Sequence, residues 1–417
     1  MHELKAEEFA INFELMKRSR FYHIFNPNGS KIFNYNAYRL LLIILLVLVN
    51  GIVVYSSLGF FVKMEDTLSY IDSSVIIFVM INIFLCNWRF SVFLYNVKII
   101  YDVFNVSRFD FFKSKHCCKN INVLCGHRDK TIKITNYFFV FSSTVMSQWV
   151  LFPLVLIAFT TPEDENIRQQ NIMNLRYPVS THTYNQYYYI FYLMEVIVAI
   201  FTMYSMIIPD ILLMSWCWAI IAQQEILTQT FKYFGHEDNS QTVHYEDFKS
   251  ILVDQIQLNL KIKSFYSVVR PVVLTYVAIL STCFIIVTYV LIVVCLSKES
   301  HSVLNIIKLG SSALYMCLDL FLYCYLFDSM NIKLQSVNTS IYSCNWTKMD
   351  IKFKKLLFLT MQMNNANNLM IKASPKKIVN QQLFANIISM SYNIVSVMLK
   401  TTNPKLQTIN KLDNTII

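Results

Sequence analysis

Long apolar runs separated by charged segments organise this chain. Runs at about 38–61, 70–96, 136–160, 186–216, 271–296 and 304–327 each predict a membrane-crossing helix, since roughly 17–25 apolar residues span the hydrocarbon in that form. A seventh run, 378–399, is less apolar. Gln382, Asn386, Ser389, Asn393, Ser396 and Lys400 recur there at helical spacing, with Phe384, Ile387, Ile388, Val395 and Leu399 on the other face. Hydropathy alone therefore gives six or seven spans. Between the fourth and fifth runs, Phe248, Ile251, Leu252, Ile256, Leu258, Leu260, Ile262 and Phe265 alternate with charges. They predict an amphipathic helix continuing into the fifth span, and residues 217–235 extend the fourth span in the same way. Residues 350–361 predict a short helix with Lys352, Lys354 and Lys355 on its wet side. Asn364 to Asn368 and Pro375 then break the chain, so the seventh element splits into a short helix, a loop and a spanning half.

Charge orients the runs. Segments 1–37, 97–135, 217–270 and 328–377 carry 5, 8, 5 and 8 Lys plus Arg, against 1, 2 and 1 in 62–69, 161–185 and 297–303. Bases accumulate on the cytoplasmic side, so the N-terminus is expected inside and, with seven spans, the tail 401–417 outside. That is the reverse of a G-protein-coupled receptor. The expected class is all-α: a polytopic membrane protein with a cytoplasmic N-terminal segment (1–37) and a six-helix bundle (38–327) with helical extensions (217–270). A basic segment (328–377) and a last spanning helix (378–400) follow. The extensions and the 350–361 helix are candidates for a cytoplasmic subunit-contact layer, or for helices lying on the membrane surface.

Composition agrees, with 55% hydrophobic residues, 15% charged and a mean hydropathy of +0.42. The net charge of +10 is spread between apolar runs, which points to anionic lipid rather than nucleic acid. No cleavable signal peptide is visible, since the first 37 residues are polar and mixed in charge. The outer loops contain none of the ten cysteines, so no disulfide is expected there. His116, Cys117, Cys118, Cys125 and His127 fall within "HCCKNINVLCGH", but adjacent cysteines share a zinc tetrahedron poorly. The segment reads as a reduced loop, with no metal or cofactor. No grouping of nucleophile, base and acid shares one membrane level, and the chain is not expected to be an enzyme.

"LQSVNTSIYSCNW" (334–346) and "NNANNLMIKASPKKIVNQQLFANIISMSYNIVSVMLK" (364–400) resemble the C-terminal signature of insect odorant receptors. Tyr342 and Trp346 match its Tyr and Trp pair, Phe384 the entry to its last helix, and Tyr392 the Tyr of a Tyr-Ser pair whose second place here holds Asn393. "LRYPVS" (175–180) is similar to the family's second outer loop, and the wording of the last helix resembles receptors of sap-sucking insects such as aphids. The resemblance implies a ligand-gated, nonselective cation channel in the plasma membrane of sensory dendrites. It would be a heterotetramer of odorant-tuning subunits with a shared co-receptor, needing no G protein. Tyr342 and Trp346 would belong to its anchor domain. The length of the second inner segment is similar to a tuning subunit's. A gustatory receptor channel of the same superfamily and a membrane transporter are the alternatives.

Two sites follow. A polar face along the last helix is either helix–helix glue or a pore wall, and the resemblance favours the pore. Gln382, Asn386, Ile387, Ser391, Asn393 and Val395 are the candidate lining, with Ile387 as the constriction. Ile388 or Met390 takes that place if the helix is turned by a residue. The outer halves of the spans offer Tyr70, Ser74 and Phe78, then Met146, Trp149 and Val150, then Tyr187, Tyr188 and Phe191, and finally Ser312, Tyr315 and Met316. Apolar and aromatic with sparse hydroxyls, this set suits a small volatile organic ligand, although Tyr187 to Tyr189 also read as interfacial belt. Glu195, Asp210 and Asp319 are ionisable groups within spans and need a partner or water.

Overall fold

A computed structural model of the chain describes residues 6–27, 29–32, 35–62, 70–159, 169, 171–173, 175, 177–236, 241–296, 303–366, 372 and 378–402. The helices in chain order are α1 (Phe13–Arg18), α2 (Phe21–Phe25), α3 (Ala37–Val62), α4 (Tyr70–Tyr95), α5 (Val97–Phe104), α6 (Lys115–Lys119) and α7 (Ile121–Phe159). They continue with α8 (Thr181–Gln186), α9 (Tyr188–Tyr233), α10 (Gln241–Leu296), α11 (Val303–Tyr342), α12 (Ile351–Ala366) and α13 (Gln381–Thr402). A small antiparallel hairpin, β1 (Lys31–Ile32) and β2 (Tyr35–Asn36), precedes α3. Seven helices, α3, α4, α7, α9, α10, α11 and α13, are long and apolar enough to cross a membrane. The chain is an all-α polytopic membrane protein.

α9 is the core of the bundle. From Ser205 to Phe231 it is buried on nearly every side, as expected of a helix that is apolar all round. It packs on α7, α11, α3 and α4, while α10 packs on α4 and α11, and α13 lies against α10 and α11. Gly235 ends the α9 segment with φ 77°, a left-handed conformation that glycine adopts without a Cβ penalty.

Four spanning helices run far beyond the hydrocarbon. α10 has 56 residues, about 84 Å at 1.5 Å per residue. The helical continuations expected at 217–235 and 248–265 are present in α9 and α10. Two further extensions were not expected. The segment "HCCKNINVLCGH" is not a loop but α6 and the first turns of α7, and α11 continues to Tyr342, well past 327. The reason is pairing across helices, which hydropathy does not register. Lys333 bonds Glu225, Asn120 Nδ2 donates to Thr230 Oγ1 at 3.1 Å, and the Asp254 carboxylate accepts the Ser114 amide at 2.9 Å. His116 Nε2 lies 3.1 Å from Asp247 and Cys117 is buried. Among the described residues no group of His, Cys, Asp and Glu is arranged to hold a metal.

The N-terminal segment is also more structured than its polarity implies. Asn12 caps α1 by accepting the Leu15 amide, and its Nδ2 reaches Thr135 and Asn136 of α7 at 2.9 and 2.8 Å. Phe13, Phe21 and Phe25 are fully buried, Phe21 against Phe90, Phe93 and Tyr204. α12 docks by Phe353, whose ring sits 4.6 Å from Phe248. After a break, α13 restarts where Asn380 Oδ1 accepts the Leu383 amide at 3.0 Å.

Candidate functional site

Four spanning helices enclose a cavity of about 320 Å³. α4 contributes Phe78, Val79, Asn82 and Ile83, and α7 contributes Val145, Met146, Ser147, Trp149, Val150 and Leu151. α9 supplies Ala199, Ile200, Thr202, Met203 and Met206, α11 supplies Ser312, Tyr315 and Met316, and Ile172 and Met173 close one end. On α4, α9 and α11 the residues repeat at i, i+3 and i+4 because those positions share a helix face. Of the sequence candidates, Phe78, Met146, Trp149, Val150, Ser312, Tyr315 and Met316 come together here. Tyr187 is exposed, Tyr188 packs among Tyr184, Tyr189 and Tyr192, and Phe191 lies on Tyr177 and Tyr184. None of these three lines the cavity. The side chains of Tyr70 and Ser74 lie outside the described residues.

Polar groups on this wall are few and mostly engaged. Trp149 Nε1 donates to Ser312 Oγ at 2.9 Å, and that hydroxyl donates to Lys308 O at 2.8 Å. Thr202 and the Asn82 amide turn back on their own helices, to Val198 O and Phe78 O. The Tyr315 hydroxyl is buried without a hydrogen-bond partner among the described residues. The cavity is thus greasy, with few polar groups free to meet a ligand.

Charged groups brace both ends. At the end near Ile172, Glu195 accepts the Met173 and Leu175 amides at 2.6 and 3.3 Å, and Lys308 Nζ donates to Ile172 O at 3.2 Å. The same ammonium lies 4.1 Å above the Trp149 ring, a cation–π contact strengthened by exclusion of water. At the other end, Arg89 pairs with Asp210, and Tyr323 bonds both of them. Tyr276 bonds Asp319 and carries the Arg89 guanidinium 4.6 Å from its ring centroid. All of these groups are buried. The partners Arg89 and Lys308 did not emerge from the sequence reading. The signal existed: a base inside a span is as costly as an acid, and bases and acids at matching depth should be paired.

α13 turns its amides outward. Gln382, Asn386, Ser389 and Asn393 are exposed, with Gln382 Nε2 donating to Asn386 Oδ1 at 3.1 Å. Ser391 and Val395 are only 2% and 4% exposed, and Ile387 is half-buried. The ridge Ile387–Ser391–Val395 therefore faces the chain's own α10 and α11, and Ser391 Oγ bonds back to Ile387 O at 2.7 Å. The apolar residues beside the open stripe are Met390 and Val397. Apolar burial sets this rotation, since Phe384 needs its seat on Phe321, 5.4 Å between centroids. Trp346 Nε1 donates to Tyr342 O at 3.0 Å, the two rings lie 5.8 Å apart, and Tyr342 is exposed.

Residues 73–392 match the sequence profile described as "7tm Odorant receptor". In three dimensions the chain is similar to the insect olfactory receptor OR5 from Machilis hrabei, with a TM-score of 0.74 at 13% identity, over 93% of this chain and 98% of that one. It is equally similar to the structure of the same receptor in complex with eugenol, with a TM-score of 0.74 at 15% identity and the same coverage. No curated protein matches in sequence. With seven spanning helices and a profile match over most of its length, this chain belongs to the insect odorant receptor family, a family of sensory membrane receptors and not of enzymes.

Proposed function

We propose that this chain is the odorant-binding subunit of a ligand-gated, nonselective cation channel. The reading rests chiefly on the cavity between α4, α7, α9 and α11. At about 320 Å³ it is at the small end of ligand sites, and its lining is apolar and aromatic with sparse polar groups. A small volatile organic molecule fits that chemistry. The similar receptor OR5 has been solved in complex with eugenol, and a comparably small ligand is expected here. The chain would work in the plasma membrane of a sensory dendrite, N-terminus inside, in a heterotetramer with a co-receptor. The ends of α7, α9, α10 and α11, with α12, Tyr342 and Trp346, would form the anchor between subunits.

The pore reading is supported by the outward stripe of α13. Amide and hydroxyl side chains facing hydrocarbon are costly, whereas around a wet axis shared with other subunits they are solvated. Gln382, Asn386, Ser389 and Asn393 then line the conduit, and Met390 or Val397 replaces Ile387 as the apolar constriction that closes it by dewetting. No acidic side chain lies on this helix, in keeping with weak selection among small cations.

The test is co-expression with a co-receptor and an odorant panel read by voltage clamp. Met316→Trp fills the cavity and should raise the half-maximal concentration of every active odorant at least tenfold, with surface abundance retained. Responses that survive this substitution unchanged would remove the cavity as the odorant site.

A further inference from the structure

We infer that ligands reach the cavity through the bilayer-facing seam between α7 and α9, rather than from the water beyond the Ile172 end. The inference rests on the odorant-site reading above and adds a route to it. Ser147 and Leu151 of α7 and Ile200 of α9 line the cavity and are also exposed on the outside of the bundle. Leu151 is 56% and Ile200 59% exposed. A side chain that touches the cavity and is mostly open on its far side makes a wall one residue thick. The neighbouring outer surface is apolar as well, with Leu193, Ile197, Leu154 and Val155 exposed, and so belongs to the acyl-chain zone.

The alternative entrance is better closed. Ile172 and Met173 cap the cavity, and that segment is held by two amides on the buried Glu195 carboxylate and by Lys308 on Ile172 O. Lifting it breaks three hydrogen bonds to two buried charged groups. The seam needs no such sacrifice at the level of Leu151 and Ile200. Ser147 spends its hydroxyl on Ser143 O of its own helix. Leu151 and Ile200 are aliphatic, and exposed aliphatic rotamers interconvert in picoseconds to nanoseconds. A cross-seam bond, Tyr192 Oη to Val150 O at 2.8 Å, ties the two helices beside the opening. Pro153 within α7 also has no N–H to offer the Trp149 carbonyl, which locally loosens the helix at this height. α13, the helix proposed to face other subunits, packs instead on α10 and α11. An apolar ligand concentrates in the acyl chains before it meets the protein, so a bilayer door draws on the richer reservoir.

The experiment uses the full chain with its co-receptor in native membranes. Met206→Cys places a thiol on the cavity wall, and modification at that site is followed by peptide mass spectrometry. The probes are N-ethylmaleimide, small and uncharged, and a quaternary-ammonium methanethiosulfonate confined to water. The expected result is modification by N-ethylmaleimide only, slowed about tenfold by Leu151→Trp with Ile200→Trp. Leu193→Trp, on the same outer surface but off the cavity, should leave the rate unchanged. Equal rates with and without the seam tryptophans, rapid reaction with the charged reagent, or no modification by either probe would each overturn the route. Labelling requires no odorant, so a channel that ignores Met316→Trp yet shows seam-dependent labelling would refute the ligand reading and leave the route intact.

Discussion

Replacing Arg89 by Met tests the buried charge network directly. The guanidinium has three partners: the Asp210 carboxylate, the Tyr323 hydroxyl at 3.1 Å and the Tyr276 ring at 4.6 Å. Without it Asp210 is left as an unpaired buried charge, which costs about 3–5 kcal/mol, and the lost ring contact adds about 0.5–2 kcal/mol. At about 1.4 kcal/mol per tenfold, the ratio of folded to unfolded protein falls by at least two powers of ten. The companion variant is Arg89→Met with Asp210→Leu. An apolar pair of similar volume is often neutral relative to a buried ion pair, leaving chiefly the stranded Tyr323 hydroxyl at about 1–3 kcal/mol. The double variant should therefore be the more stable of the two. The assay is surface abundance together with the thermal midpoint of the solubilised complex, followed by size-exclusion chromatography. A single variant that melts with the wild type, or a double variant no better than the single, would refute this assignment of charges.

Other expectations follow from separate parts of the molecule. Burial pushes the Cys117 thiol up to about 12, so it stays protonated through neutral and mildly alkaline pH and becomes nucleophilic only as pH approaches that value. Alkylation of permeabilised cells at pH 8 should therefore mark the exposed Cys118 and spare Cys117, and equal labelling would contradict the packing of α6. Glu195→Gln replaces the carboxylate that holds the Met173 and Leu175 amides. Hydrogen exchange at 172–175 should accelerate by roughly tenfold, given about 1.5–3 kcal/mol for bonds to a charged group. Gly235→Ala forces a side chain into a φ of 77°, at a cost of about 1–2 kcal/mol; a lower melting midpoint is expected, and an unchanged one would argue against that turn. On α13, cysteines introduced at Asn386 and Asn393 should react with water-borne thiol reagents in the assembled channel, and those introduced at Ser391 and Val395 should not.

The sequence by itself determined six spans and their rough limits, because a 20-residue apolar run has few alternatives to a membrane helix, and it left the less apolar seventh open on hydropathy alone. It also determined that the last helix carries a polar face, since helical periodicity is a local property, and it brought seven cavity residues into view through topology and residue type. It did not reveal the helical reach of α6, α7 and α11, because those segments are polar and are ordered by partners distant in the chain, such as Glu225 for Lys333. Nor did it distinguish Tyr187, Tyr188 and Phe191, which lie at the start of α9, from the residues at 199–206, more than two turns further along, that line the cavity. Only the tertiary structure decided the rotation of α13. Phe384, Ile387, Ser391 and Val395 pack inward on α10 and α11, and where apolar and polar residues alternate closely, a turn of one residue depends on which neighbour offers a surface to bury them. The pairings of Arg89 with Asp210 and Tyr276 with Asp319 likewise came from depth in the bundle, a coordinate that no single stretch of sequence contains.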